Sequence, residues 1–87
     1  MAFEIRIAPP ARRALETQLP ESIAAAAWEF IHGPLAENPR RVGKPLLGNL
    51  EGSWSARRGE YRVVYEIDNE IVTVTVLRIG HRRDIYR

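Results

Sequence analysis

The sequence predicts an α+β fold in which an N-terminal strand and a two-helix hairpin precede an antiparallel meander of three to four strands. Apolar and polar residues alternate at the start of the chain and again in its C-terminal half, which is the period of a half-buried strand. Between these regions apolar residues recur every three to four positions, which is the period of a helix. A chain of 87 residues has room for one domain, so we expect a single domain over residues 1–87.

Prolines bound the first elements. Residues 3–7 alternate as a strand that Pro9-Pro10 ends, and a first helix follows over about residues 10–18. A second helix begins at Pro20, and Gly33-Pro34 is expected to stop or kink it near residue 32. The leucine–proline turn between the two helices is typical of a helical hairpin.

The second half of the chain reads as a loop and then strands. Residues 38–52 are rich in Pro, Gly and Asn without a clear period, so we expect a long loop there. Strands are predicted at 53–57, 61–67 and 71–79, with turns at Gly59-Glu60 and Asp68-Asn69-Glu70. The run over 71–79 is almost wholly apolar or β-branched, as in a central strand covered on both sides. Residues 81–87 form a polar tail that could hold one more short strand.

Alternation assigns the faces of the predicted sheet. One face, expected to lie under the helices, holds Tyr61, Val63, Tyr65 and Ile67. The opposite face holds Arg62, Val64 and Glu66 and, on the neighbouring strand, Ser53, Ser55 and Arg57. Together these residues are expected to form a polar concave surface.

Composition excludes several classes of protein. The chain has no cysteine and only two histidines, so we expect no disulfide, no metal and no cofactor. No apolar run approaches the roughly 20 residues that cross a bilayer, and the first residues lack the apolar core of a signal peptide. We therefore expect no membrane association and a cytoplasmic location.

Positive charge is concentrated in the middle of the chain, where residues 39–62 carry six basic and two acidic side chains. Of the 13 basic residues in the chain, all but Lys44 are arginine, whose planar fork of donors matches phosphate. Arg62 is the most informative of them because it interrupts a strand that otherwise reads as core. A half-buried arginine needs an anionic partner, either a carboxylate such as Glu66 or an external phosphate.

Two stretches carry a resemblance to a known family. The segment GSWSARRGEYRVVYEI, at residues 52–67, and the ending IGHRRDIY, at residues 79–86, resemble the RelE/ParE toxin superfamily of bacterial toxin–antitoxin systems. The resemblance extends over nearly the whole chain, and its fold is the helical hairpin and meander already predicted. It implies a RelE-like toxin that inhibits translation as a ribosome-dependent mRNA endonuclease. The implied partners are a cognate RelB-like antitoxin, the 70S ribosome and mRNA.

The resemblance also implies roles for individual residues. In the implied reaction a ribose 2′-hydroxyl attacks the adjacent phosphate and a 5′-hydroxyl product is released. Arg62 matches the family's arginine that binds the scissile phosphate, and Arg82 matches a second arginine that neutralises developing charge. Tyr86 matches the family's C-terminal tyrosine, which stacks on a base. The basic residues expected to contact RNA are Arg40, Arg41, Lys44, Arg57 and Arg58.

One departure leaves alternatives open. The best-studied type of RelE has two lysines where this chain has Ser53 and Ser55, so a family-style general base is missing. His81 could replace it, because its unperturbed pKa near 6.5 suits proton transfer. Without the lysines, a ParE-like inhibitor of DNA gyrase that cuts no RNA is the alternative function. A catalytically inert relative that only binds antitoxin or RNA is a third possibility.

Overall fold

In the computed structural model, which describes residues 2–81 and of His81 only the backbone, one mixed sheet of five strands is covered by helices. The elements are β1 (Glu4–Ile7), α1 (Pro9–Arg13) continued by a wide turn (Ala14–Gln18), α2 (Glu21–Phe30) continued by a second wide turn (Ile31–Leu35), α3 (Pro39–Val42), β2 (Lys44–Pro45), a 3-10 turn (Gly48–Leu50), β3 (Trp54–Arg58), β4 (Tyr61–Asp68) and β5 (Thr73–His81). The strand order is β1-β5-β4-β3-β2, with β1 parallel to β5 and the other neighbours antiparallel. The predicted α+β class and the antiparallel meander are confirmed.

The helices begin at prolines, as predicted, and the second one widens into a different turn near its predicted end. Pro9 and Pro10 fill the first turn of α1, where a missing N–H costs nothing. The α-helix ends at Phe30, close to the predicted stop or kink near residue 32, and the chain continues into the wide turn Ile31–Leu35 with Pro34 inside it. A widened turn accommodates the proline ring without ending the helical path. No helix in the part of the chain that the structure describes is long and apolar enough to span a membrane.

The predicted loop over residues 38–52 is largely structured. Pro39 opens the short α3, and β2 follows directly, with Lys44 opposite Ser55 and Pro45 opposite Trp54. A backbone hydrogen bond of 2.8 Å from Leu46 to Ser53 closes this edge of the sheet. The lack of a sequence period hid a strand of two residues, since two positions cannot show alternation.

The core lies between the helices and one face of the sheet. Its buried members from the helical half are Ala11, Ala14, Ala27, Phe30 and Ile31. From β4 it takes Tyr61, Val63 and Tyr65, and from β5 Val74, Val76 and Ile79. Three of the four residues assigned to the helix-covered face are thus fully in the core, and Ile67 packs against it half-buried. The assignment of faces on β4 is therefore confirmed.

The β4–β5 hairpin differs from its prediction at the start of β5 and again within it. The strand begins at Thr73 rather than at residue 71, because the Asp68 carboxylate accepts hydrogen bonds from the N–H groups of Glu70 and Ile71 and extends the turn. A β-bulge then interrupts the ladder, where Val64 faces Arg78 but its successor Tyr65 faces residue 76. The extra residue on β5 shifts the alternation by one position.

Candidate nucleic-acid interface

A groove of about 520 Å³ lies along the sheet face that the helices leave uncovered, at the β2 side. We call it the basic groove, and its lining residues are Arg41, Val42, Gly43, Lys44, Pro45, Leu46, Ser55, Arg57 and Arg62. Four of these described residues are cations and none is a carboxylate. Arg41 and Lys44 reach the groove through α3 and β2, which were not predicted, so the tertiary fold brings these two cations beside Arg57 and Arg62.

The first wall of the basic groove is the β3–β4 ladder. Arg57 and Arg62 lie directly opposite each other in the antiparallel register, and Gly80 lies on the other side of Arg62. Arg57 is exposed, whereas Arg62 is half-buried and its Nε atom lies inside the protein. Glu66, the carboxylate considered as its partner, is exposed on the same strand. Like charges directly opposite in a ladder destabilise it, which favours an anion between them.

The second wall is the α3–β2 segment, which supplies Arg41 and Lys44. Its position is fixed by the buried Tyr65, whose hydroxyl donates a 2.6 Å hydrogen bond to the carbonyl oxygen of Pro39. Burial raises the pKa of Tyr65 to about 12, so the hydroxyl keeps its proton and remains a donor at neutral pH. Gly43 lies against this hydroxyl, and a Cβ at this position would also approach the carbonyl oxygen of Ser55 to 2.7 Å.

Two of the predicted RNA contacts lie away from the basic groove. Arg40 donates a 2.6 Å hydrogen bond to the side-chain oxygen of Asn69, which ties α3 to the β4–β5 turn. The Arg58 guanidinium carbon lies 4.6 Å from the ring centroid of Phe30, on the helix-covered face. Burial raises the pKa of Tyr61, and the nearby positive charge of Arg58 opposes that shift. Both arginines therefore contact side chains outside the basic groove.

The remaining predicted site residues fall at the C-terminal end. Arg82 and Tyr86 lie outside the described residues, so their convergence with Arg62 stays a prediction. The backbone of His81 pairs with Tyr61 at the end of β5, next to the Gly80–Arg62 pair. Ser53 is buried and bonded through its backbone to the turn before it, whereas Ser55 lines the basic groove.

Sequence reasoning missed Gly43 and Tyr65 as parts of the site. Gly43 carried a weak signal, since a glycine beside the chain's single lysine reads as an ordinary loop residue. Tyr65 was assigned to the core, and its hydrogen bond to α3 could not be anticipated because α3 itself was not predicted. Among the described residues there is no group of three His, Cys, Asp or Glu side chains that could hold a metal ion.

Comparison with known proteins identifies the family. The family described as "ParE toxin of type II toxin-antitoxin system, parDE" has a model that matches residues 5–86. The chain belongs to the RelE/ParE toxin family. It is 52% identical over 87 residues to Toxin RelG of Mycobacterium tuberculosis, covering 100% of this chain and 99% of the relative. It is 51% identical over 85 residues to Toxin RelE of the same organism, covering 98% and 87%.

A solved structure agrees with the family in fold. The RelBE2 toxin–antitoxin complex of M. tuberculosis contains a chain that superposes with a TM-score of 0.90 at 49% identity, covering 94% of this chain and 100% of that one. The RelE/ParE resemblance drawn from residues 52–67 and 79–86 is thereby confirmed. The protein is a toxin of a RelBE-type toxin–antitoxin system.

Proposed function

We propose that this RelE/ParE-family toxin inhibits translation by cutting mRNA on the ribosome. The observation that carries the proposal is the basic groove, in which Arg41, Lys44, Arg57 and Arg62 line one cleft without a carboxylate among its described lining residues. A cleft lined by one sign of charge attracts a polyanion and concentrates it. Its volume of about 520 Å³ suits a nucleotide-sized segment of a single strand, since small-ligand sites span about 300–1,000 Å³.

Arg62 is the residue on which the chemistry depends. Cleavage by a 2′-hydroxyl builds negative charge on the phosphorus oxygens, and fixed cations stabilise that charge best where water is excluded. Arg62 meets this condition because it is half-buried in the ladder, whereas Arg57 is exposed at the rim. Arg62 therefore binds the scissile phosphate, and Arg57 contacts the backbone beside it. Arg82, Tyr86 and His81 complete the site as charge neutraliser, base-stacking residue and general base.

A RelB-like antitoxin is the proposed cognate partner. The M. tuberculosis relative with a TM-score of 0.90 was solved as a toxin–antitoxin complex, which supports an antitoxin here. The positive lining of the basic groove favours an acidic segment that folds as it binds, because complementary charge speeds association and selects the partner. An antitoxin bound in this way competes with RNA for the same cations.

The experiment that tests the function is mRNA cleavage in a cell-free translation reaction, mapped by primer extension. Cuts are expected only in messages that ribosomes are translating. Arg62→Ala should abolish both cleavage and growth inhibition, while Arg12→Ala, on the exposed side of α1, should leave them unchanged. A folded Arg62→Ala protein that still cuts or still inhibits growth would contradict the assignment.

Inhibition of DNA gyrase is the second candidate function. It is favoured by the match over residues 5–86 to a family described by its ParE member, and by the serines at residues 53 and 55. Intact mRNA in the translation reaction, together with loss of gyrase supercoiling on addition of the toxin, would replace the nuclease with this function.

A further inference from the structure

Lys44 is the chain's single lysine, and the fold places it in the basic groove. It lies on β2 directly opposite Ser55, on the far side of β3 from the Arg62-bearing strand β4. The other cations of the groove, Arg41, Arg57 and Arg62, are all arginines. The sequence marked Lys44 only as a loop cation expected to contact RNA, because β2 lies in a stretch that reads as loop.

The difference between lysine and arginine decides what each can do. Arginine stays protonated in proteins and cannot exchange its proton during a reaction. A lysine ammonium can release a proton and take it back. The Ser55 hydroxyl opposite Lys44 is a far weaker acid than an ammonium. Of the groove-lining residues in the described part of the chain, Lys44 is therefore the one suited to transfer a proton.

We propose that Lys44 is the general acid of the cleavage reaction, a role that rests on the proposed nuclease function. The 2′-oxygen forms a bond to phosphorus and gives its proton to the base, for which His81 is the candidate. The bond from phosphorus to the 5′-oxygen breaks, and the Lys44 ammonium donates a proton to that oxygen. The products are a 2′,3′-cyclic phosphate and a 5′-hydroxyl, and solvent water returns both side chains to their starting protonation states.

The structure also explains how an exposed side chain on so short a strand can be held in place. Lys44 follows Gly43, which lies against the buried Tyr65 hydroxyl, and that hydroxyl anchors Pro39 at the start of α3. Arg40 fixes the same segment to Asn69 at the β4–β5 turn. The backbone that carries Lys44 is thus held at the start of α3 and, through the pairing of Lys44 with Ser55, along β3, as positioning of a proton donor requires.

The test separates charge from proton transfer by comparing Lys44→Arg with the unaltered toxin on ribosome-bound mRNA. Lys44→Arg keeps the positive charge, so toxin binding to the programmed ribosome should be unchanged while the single-turnover cleavage rate falls about 100-fold. In a second substrate, sulfur replaces the 5′-oxygen at the mapped cut site, and this leaving group departs without being protonated. On that substrate the two proteins should cut at equal rates.

The absence of cysteine from the chain supplies a rescue variant. Lys44→Cys can be alkylated selectively with bromoethylamine, which restores an amine that is more acidic than that of lysine. Activity should return, and the high-pH limb of the rate profile should move to lower pH. Lys44→Ala, whose thermal unfolding should match that of the unaltered toxin because the side chain is exposed, controls for folding.

The outcomes separate this proposal from the function on which it rests. If the unaltered toxin cuts no mRNA, the nuclease function fails. If it cuts and Lys44→Arg cuts the ordinary substrate at the same rate, the nuclease stands and Lys44 contributes only charge. An equal defect of Lys44→Arg on ordinary and 5′-thio substrates would likewise overturn the general-acid role.

Discussion

Arg57 and Arg62 lie directly opposite each other in the β3–β4 ladder, although both carry a permanent positive charge. Like charges opposite each other in a ladder repel, and a bound phosphate between them would offset that repulsion. Arg58, one residue further along β3, avoids the conflict by lying over the Phe30 ring on the other face. Two adjacent arginines therefore have opposite consequences for stability.

Glutamine substitutions at these two arginines should shift stability in opposite directions. Arg57→Gln should raise the free energy of unfolding by about 0.2–1 kcal/mol in low salt, because it removes the like-charge pair. Arg58→Gln should lower it by about 0.5–1 kcal/mol, because it removes the cation–π contact with Phe30. Urea unfolding at two salt concentrations measures both. The gain at Arg57 should shrink as salt screens the charges, and a gain that is independent of salt would argue against repulsion.

Gly43→Ala should damage both the fold and the basic groove. The added methyl group would meet the Tyr65 hydroxyl and, at 2.7 Å, the carbonyl oxygen of Ser55, so β2 must move outward. We expect a loss of about 1–3 kcal/mol in the free energy of unfolding and weaker RNA binding. Gly33→Ala is the matched control, since nothing lies within 4 Å of its added Cβ. Equal stabilities of the two alanine variants would contradict the close approach at Gly43.

Stability should fall as the pH rises from 10 toward 12, and Tyr65 should account for part of that fall. Burial raises the pKa of Tyr65 from 10.0 to about 12, so in this window the unfolded chain releases the phenolic proton and the folded chain keeps it. The contribution is fully present below pH 10.0 and is lost as the pH passes through the folded value. In thermal melts over the same pH range, the melting temperature of Tyr65→Phe should fall less steeply with pH than that of the unaltered protein.

Tyr65→Phe should also lower stability at neutral pH. It leaves the Pro39 carbonyl oxygen without its 2.6 Å donor, at an expected cost of about 1–3 kcal/mol. Hydrogen exchange should then show that α3 opens more readily than in the unaltered protein. Unchanged exchange in α3 would mean that other contacts hold the segment.

Val72 is a site where a single substitution should stabilise the protein. Its φ of 49° places a β-branched residue in the left-handed region, which costs about 1–2 kcal/mol for L-residues. Val72→Asn should recover about 1 kcal/mol, because asparagine tolerates this conformation and the side chain is 39% exposed. Val72→Thr keeps the β-branch and should show no gain. Chemical denaturation of both variants tests the assignment, and a gain for threonine would point to polarity rather than strain.

Much of the fold could be predicted because its signals are local. The prolines at residues 9 and 10 mark the start of a helix wherever they occur, and the alternation from Tyr61 to Ile67 assigned Arg62 to the open face of the sheet. The same alternation placed Arg57 beside it. These features depend on residues a few positions apart, whose spacing is fixed by the geometry of helices and strands.

The β-bulge in β5 shows where local signals stop. Uninterrupted alternation from Val74 and Val76 would place Arg78 in the core and Ile79 outside it. The extra residue, Leu77, leaves Arg78 exposed and Ile79 buried opposite Val63. The extra residue becomes visible only in the pairing of β5 with β4. It is favourable because burying Arg78 in the apolar core would cost far more than disrupting one ladder position.

The sequence by itself determined the fold class, the family resemblance and the placement of Arg57 and Arg62 on one face. The tertiary structure alone decided that Lys44 enters the same groove, through a two-residue strand too short to leave a period. It also decided that Arg40 and Arg58 turn to Asn69 and Phe30 instead. Periodicity reports the face of a residue within its own element, whereas a site assembled from α3, β2, β3 and β4 depends on which elements become neighbours.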